Sequence, residues 1–379
     1  MPKAAYFHIP FCVNICHYCD FNKVFLKGQP VDEYLTAMER EMFNTIERFP
    51  YESMDTLFIG GGTPTALSAE QLDVFLSSVS RHFPVSQAKE YTVEANPEQT
   101  TAEKLEVLKK HGVNRLSIGA QAFQPSLLKE LGRTHNASHV KKTVEEAKAA
   151  GITNLSIDLM FGLPGQTMEM FKESVEAAME LDVPHISSYS LQVEPKTVFY
   201  IRSQKGQLNL PAQELEAEMF EYLISELKKH GIAQYEISNF AKPGYESLHN
   251  LQYWENNEYY GIGAGSHSYV NGVRRVNAGP LKKYMNLIEN TDFPYTEENH
   301  LSMHEKMEEE MFMGLRKRVG VSCAVFKKRY GVSLMDVFGE QISKLKQNGL
   351  LEQEGDMIKL TSRGVLLGNE VFSEFIGVL

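Results

Sequence analysis

The chain of 379 residues has no apolar run near the ~18 residues that a membrane-spanning helix needs. Cysteine is scarce: there are four, three of them within residues 12–19, so neither a dispersed disulfide framework nor the secreted setting that accompanies one is indicated. Positive charge is in deficit. The 38 Lys and Arg against 49 Asp and Glu leave a net charge of −11, which argues against nucleic acid as a partner and against strong attraction to an acidic membrane surface. No secretory leader stands ahead of the first cysteine, so a cytoplasmic location is expected, where clustered thiols stay reduced. Disorder is also excluded, because a hydrophobic fraction of 42% supplies enough apolar surface for one large α/β domain and a smaller one.

What is present starts with residues 8–21, His-Ile-Pro-Phe-Cys-Val-Asn-Ile-Cys-His-Tyr-Cys-Asp-Phe. Cys12, Cys16 and Cys19 form a C-x3-C-x2-C array. A loop this short can turn three thiolates toward one soft metal centre, and on a [4Fe–4S] cube three thiolates leave the fourth iron open to an external ligand. The rival is a structural Cys3His zinc site with His8 or His17 as fourth ligand. Covalent c-type haem attachment is excluded, since Asp20 rather than histidine follows Cys19.

Beyond the loop, β-rich apolar runs at 4–9, 55–59, 90–95, 113–118, 153–159 and 185–193 alternate with helical patterns at 31–49, 68–81, 101–111, 138–150 and 168–181. Ser68 is placed as a helix cap, and Gly112 and Gly151 as terminators. This alternation predicts βα units on a parallel sheet. Polar and glycine residues follow successive strands: the cysteine loop, Gly60-Gly61-Gly62-Thr63-Pro64, Glu94-Ala-Asn96, Gly119-Ala-Gln121, Asp158 before Gly162-Leu-Pro-Gly165, and Tyr189, Ser190 and Gln192. At the carboxyl ends of parallel strands such groups meet in space. Gly61, Gly62 and Thr63 suit a turn whose backbone N–H groups approach a ligand, against the plainer reading of a tight strand-to-helix turn. Glu94 suits an acceptor for a ribose or amino group, and Gln121, Arg133 and Asp158 suit contacts to a nucleoside or a second bound molecule, although Arg133 could equally be a surface charge.

Residues 194–240 leave the βα rhythm and are expected to continue the sheet or pack beside it. His249-Asn250-Leu-Gln-Tyr253-Trp254 pairs an imidazole with two large aromatics, including the single tryptophan, which suits haem but on its own more often marks a buried aromatic cluster. Gly261-Ile-Gly263-Ala-Gly265-Ser266-His267-Ser268 has nucleotide-like glycine spacing outside any βαβ unit, a weak match expected to be a turn-rich strand near the bound molecules. From about residue 303, three helices and a hairpin around Gly355-Asp356 predict a winged-helix-like module, with Cys323 as a small core residue. Balanced charge there makes DNA binding improbable and favours a lid or docking role.

The array Cys12-x3-Cys16-x2-Cys19, with Tyr18 before the third cysteine, resembles the signature of the radical S-adenosylmethionine (SAM) superfamily. Tyr6-Phe-His-Ile-Pro-Phe-Cys12 is similar to the branch that holds oxygen-independent coproporphyrinogen III dehydrogenases and HemW-type haem chaperones. The resemblance implies a partial parallel (β/α)6 barrel with a winged-helix-like C-terminal helical domain, divided as 1–240, a connecting segment 241–302 and 303–379. It implies a [4Fe–4S] cluster on Cys12, Cys16 and Cys19. It also implies SAM at Tyr6, Tyr18, Gly61, Gly62, Thr63, Glu94, Gln121, Arg133 and Asp158, with reductive cleavage to a 5′-deoxyadenosyl radical open to it. The motif at His249 is similar to one associated with haem, making His249 a candidate axial ligand. Two departures favour the chaperone side: Phe21 stands where the dehydrogenases carry a further cysteine, and the N-terminal arm is missing. Haem, haem-accepting respiratory proteins and a cytosolic electron donor are then the implied partners, with decarboxylation of coproporphyrinogen III as the alternative.

Overall fold

Twelve strands join in one sheet in the computed structural model, which describes residues 1–379. In chain order β1 (Ala4–Ile9), β2 (Thr56–Gly61), β3 (Glu90–Ala95), β4 (Arg115–Gln121), β5 (Asn154–Phe161) and β6 (His185–Ser190) lie side by side in that same order. Every neighbouring pair among them is parallel. Covered on both faces, they are buried along nearly their whole length, which is why they occur in the sequence as continuous apolar runs rather than alternating ones.

The intervening helices Val31–Arg48, Ala69–His82, Ala102–Lys110, Ala137–Ala149 and Met168–Glu180 turn apolar stripes to the sheet. Their ends obey local chemistry. Ser68 and Gln71 close a reciprocal capping box, and Gly112 and Gly151 take φ of +83° and +81° just past the helices they terminate. One strand runs later than its expected span. It starts at Arg115 and continues through Gly119 to Gln121, because a bulge between Gly119 and Gln121 keeps the chain in the sheet where glycine suggested a turn.

Residues 194–240 do extend the sheet: β7 (Ala233–Gln234) and β8 (Asn239–Ala241) add antiparallel strands beyond β6. Residues 241–302 do more than connect. They form β9 (Tyr259–Ile262), β10 (His267–Val270), β11 (Val273–Asn277) and β12 (Tyr295–His300) on the other side of β1. β9 runs parallel to β1, pairing Tyr6 with Gly261, and β10 to β12 follow as a meander. The turn between β10 and β11 is Asn271-Gly272 with φ of +54° and +72°, the Asn-Gly signal of a tight hairpin. The sheet ends at β12 and β7 and is not a closed barrel.

Met303–Gly314, Cys323–Tyr330 and Leu334–Gln347 build the C-terminal helices, with a three-stranded sheet of Val321–Ser322, Met357–Leu360 and Leu351–Glu354 beside them. This module is fused to the rest, since a single core of 71 buried residues runs from Ala5 to Phe375. At the joint the Ile237 N–H donates to Arg316 O at 3.1 Å and the Arg318 N–H to Tyr235 O at 2.9 Å. The Arg316 guanidinium lies 5.0 Å from the ring centre of Trp254 and 4.8 Å from that of Phe372. No helix is long and apolar enough to cross a membrane.

Candidate functional site

The cysteine loop leaves β1 and is pinched at its base, where Phe11–Cys12 pairs with Val24–Phe25. Its tip is tied to three other regions. The His17 N–H donates to Leu131 O at 3.0 Å, the Phe199 N–H donates to His17 O at 3.0 Å, and the Asn22 amide donates to Ala264 O at 2.8 Å and Gly279 O at 2.9 Å. Cys12, Cys16 and Cys19 thereby share the wall of one cavity of about 440 Å³. The Thr63 hydroxyl donates to Cys12 Sγ at 3.6 Å, and Arg133 Nη1 to Cys16 Sγ at 3.5 Å. Burial pushes the Cys12 thiol up and the Cys19 thiol to about 11, so metal binding must release protons here.

No group of three His, Cys, Asp or Glu side chains is arranged to hold a single metal ion. The histidines considered for zinc point elsewhere. His8 is buried with Nδ1 3.0 Å from the Tyr6 hydroxyl and Nε2 2.7 Å from Asn22 O, and His17 Nδ1 lies 2.8 Å from Glu130 O.

The same cavity gathers Tyr18, Gly61, Gly62, Thr63, Glu94, Gln121, Arg133 and Asp158 from five successive βα units. Gly61 has φ +114°, and a Cβ there would fall 2.6 Å from the His8 ring. The expected use of the glycine turn needs correcting. Its N–H groups are already spent, Gly61 on Glu94 Oε2 at 3.0 Å, Gly62 on Ile9 O at 2.8 Å and Thr63 on Phe11 O at 2.9 Å. The turn therefore offers a ligand close approach, and the acceptors come from carboxylates. Burial, then the charge of Asp158, pushes Glu94 up to about 8; burial pushes Asp158 up to about 6 even though the Ser117 hydroxyl donates to it at 2.9 Å. Near neutral pH Asp158 is therefore largely ionised while Glu94 holds its proton and is poised to lose it when a cation arrives. Gln121 holds φ +65° at the bulge, a strained backbone that aims its amide into the cavity. Arg133 donates through Nη2 to Gly119 O, while its Nε is buried without a partner. Tyr18 packs on a small apolar cluster that includes Leu127 and Leu131.

Tyr6 alone of the nucleotide candidates lies outside this lining. It faces an adjoining cavity of about 310 Å³ that shares Phe21, Gly61 and Glu94 with the first. Sequence reasoning missed Lys23, which donates to Cys19 O, the tie made by Asn22, and Ser117 beneath Asp158. The lysine and asparagine directly follow the loop, but only the fold shows what they reach.

His249 is at the opposite end of the strands. The helix Leu248–Trp254 enters the amino end of the barrel, where Glu90, the first residue of β3, accepts from the Leu248 N–H at 2.8 Å and the His249 N–H at 3.1 Å. His249 Nδ1 lies 2.9 Å from the hydroxyl of Thr56, the first residue of β2, and Nε2 lies 2.8 Å from the Tyr253 hydroxyl. At a strand rise of about 3.3 Å per residue, Thr56 lies ~16 Å below Gly61. The imidazole is 1% exposed, and burial with Arg115 nearby pushes its pKa down to about 3. Direct ligation of haem iron by His249 does not fit this arrangement, since it has no free nitrogen. Arg316 lies over one face of the Trp254 ring; of the motif's aromatics, Tyr253 reaches a cavity.

A parallel half-barrel whose cysteine loop and glycine turn meet at the carboxyl edge is the arrangement of radical SAM proteins. The model of the Radical SAM superfamily matches residues 6–178, and that of the HemN C-terminal domain matches 301–367. The chain is 52% identical over 378 residues to the heme chaperone HemW of Bacillus subtilis, covering all of both chains, and 45% identical to that of Lactococcus lactis, covering 99% and 97%. It is 33% identical to the Escherichia coli heme chaperone HemW, covering 99% and 98%. The solved structure of coproporphyrinogen III oxidase HemN from Escherichia coli, a radical SAM enzyme, shares the fold with a TM-score of 0.87 at 23% identity over 100% of this chain and 91% of that one. The chain belongs to the HemW family within the radical SAM superfamily.

Proposed function

We propose that this protein binds a [4Fe–4S] cluster through Cys12, Cys16 and Cys19 and SAM in the cavity they share with Gly61, Glu94, Gln121, Arg133 and Asp158, and that it carries haem to acceptor proteins of respiration. The observation that carries the reading is the convergence of three thiols and two buried carboxyls on one cavity, in a chain 52% identical to a heme chaperone. When bound, the cluster supplies an open iron for the amino acid end of SAM and an electron, drawn from a cytosolic donor, for cleaving its sulfonium. The chain's own residues do the rest. Glu94 ionises on binding and joins the already charged Asp158 in accepting from the ammonium and ribose hydroxyls of a cationic nucleotide, and Gly61 lets it approach. Arg133 holds Cys16 and the Gly119 carbonyl in register.

In this reading residues 1–240 carry cluster and nucleotide, 241–302 the haem motif, and 303–379 a docking module. The working compartment is the cytoplasm, with any membrane contact transient. Phe21 in place of a further cysteine sets the protein apart from coproporphyrinogen III oxidation. The test is a paired assay on one anaerobically reconstituted sample. Haem should bind near stoichiometrically, while coproporphyrinogen III with SAM and reductant should yield no protoporphyrinogen IX. Turnover at enzymatic rates without haem binding would reverse the assignment.

A further inference from the structure

Arg115, the first residue of β4, is 2% exposed and has no part in the nucleotide contacts described above. Side chains alternate along a strand, so it shares the face of Ser117, whose hydroxyl meets Asp158 inside the half-barrel, while Leu116 and Ile118 join the apolar core on the other side. Register fixes its height. Ser117 pairs with Glu94 on β3 and Arg115 with Thr92, so the arginine starts two residues, about 7 Å, beneath Glu94.

A guanidinium carries five N–H donors, and burying one without a counter-charge is costly. Arg115 nonetheless forms no ion pair, and its Nε is buried without a partner. Glu90, on the floor of the half-barrel, does not answer it, because that carboxylate accepts from the Leu248 and His249 N–H groups and the Ser247 hydroxyl. The imidazoles below are neutral: burial, then the arginine's own charge, pushes down both His185 and His249. Above stand Glu94 and Asp158. Of the other groups facing these two carboxyls, Tyr6 and His8 on β1, Tyr189 on β6 and Tyr253 on the motif helix are held neutral by burial. Arg133 acts on Asp158, but its donors go to Cys16 and Gly119. The charge of Arg115 favours ionisation of both carboxyls and is the cation that acts on Glu94.

We propose that Arg115 is a positioning residue of the nucleotide site: a counter-charge beneath Glu94 and Asp158 that lets both carboxyls be negative together under a cationic nucleotide. The inference rests on the SAM binding proposed above and deepens it. Two carboxylates inside one buried half-barrel repel each other, and little water or salt reaches them to relieve it. With the nucleotide's positive charge above and the guanidinium below, the pair is neutralised from both sides, and the carboxyl layer keeps the two cations apart. In the ligand-free chain Glu94 holds its proton and the guanidinium lacks a partner; binding supplies the missing negative charge.

The experiment measures SAM affinity of the cluster-loaded full chain by rapid ultrafiltration at pH 7 and pH 9.5. Protons released on binding are read by calorimetry in buffers of different ionisation enthalpy. The set is wild type, Arg115→Met, Arg115→Gln and Arg115→Lys, with iron–sulfur absorbance as the check of folding; two neutral variants of different shape keep the test open if one does not fold. Without the cation both carboxyls rise, and each unit of rise costs a factor of about ten in affinity below the folded value and nothing above it. Expected in the Met and Gln variants are affinity lower by about tenfold or more at pH 7, a gap that narrows several-fold at pH 9.5, and more protons released per nucleotide at pH 7 than in wild type. Arg115→Lys, which keeps the charge, should stay near wild type in both readings. Equal weakening at the two pH values, shared by Arg115→Lys and with unchanged proton release, would reduce Arg115 to a support of the fold and overturn this inference alone, as would wild-type affinity in the neutral variants. Absence of SAM binding in wild type would overturn the nucleotide site itself and this inference with it.

Discussion

Glu41 offers a measurable consequence of how the sheet's second half is fastened. It lies on the helix Val31–Arg48, is 1% exposed, and accepts from the Tyr284 hydroxyl at 2.5 Å, Asn277 Nδ2 at 2.6 Å and the Gly263 N–H at 2.8 Å. It thus pins the glycine turn between β9 and β10 to the barrel's outer helix. Burial outweighs these three donors and pushes its pKa from 4.5 up to about 7. The folded chain therefore holds a proton that the unfolded chain releases between those values. This contribution is fully present below pH 4.5, fades as the pH rises toward 7, and is gone above it. A rise of about 2.5 units at 1.36 kcal/mol per unit makes the loss on the order of 3 kcal/mol. In Glu41→Gln the amide oxygen in the place of Oε2 still accepts from the Gly263 N–H and the Tyr284 hydroxyl, the NH2 replaces the oxygen that Asn277 Nδ2 met at a cost that does not depend on pH, and nothing titrates. Denaturant unfolding of both proteins at pH 4.5, 6 and 8 should show wild type losing stability relative to the variant by that order across the series. Parallel stability curves would refute the claim that a protonated carboxyl holds this turn.

Two further outcomes concern the nucleotide site. Gly61→Ala forces a Cβ to 2.6 Å from a His8 ring that Tyr6 and Asn22 hold in place, at φ +114°. SAM affinity by equilibrium dialysis should fall by about tenfold or more with the iron–sulfur absorbance kept, and unchanged affinity would remove this turn from the site. Arg133→Lys cannot reach Cys16 Sγ and Gly119 O together, so a buried acceptor loses its partner; the cost should be about 1–3 kcal/mol in denaturant unfolding of the cluster-free chain, with weaker SAM binding after reconstitution.

Much of this protein follows from chain-local chemistry. The six parallel strands and five helices could be placed from continuous apolar runs, 3.6-residue periodicity and caps such as Ser68 and Gly112, because each of those signals acts within a few residues. The cavity's membership was foreseeable for the same reason: once strands run parallel, whatever follows each of them comes together, and Tyr18, Gly61, Glu94, Gln121, Arg133 and Asp158 all do. The four strands of 259–300 were harder to foresee, being short, partly exposed and dependent on pairing with β1, some 250 residues away. The Asn271-Gly272 hairpin turn was the local sign available.

What the sequence by itself determined is the array of three cysteines, with the ligand type and spacing that suit a soft metal centre, since both are properties of a short loop. Which atoms remain free to meet a ligand was decided by the tertiary structure alone. The glycine turn's N–H groups are taken by Glu94, Ile9 and Phe11, and both nitrogens of His249 by Thr56 and Tyr253. A hydrogen bond between residues separated by most of the chain leaves no local trace, yet it settles whether a side chain supports a site or acts in it.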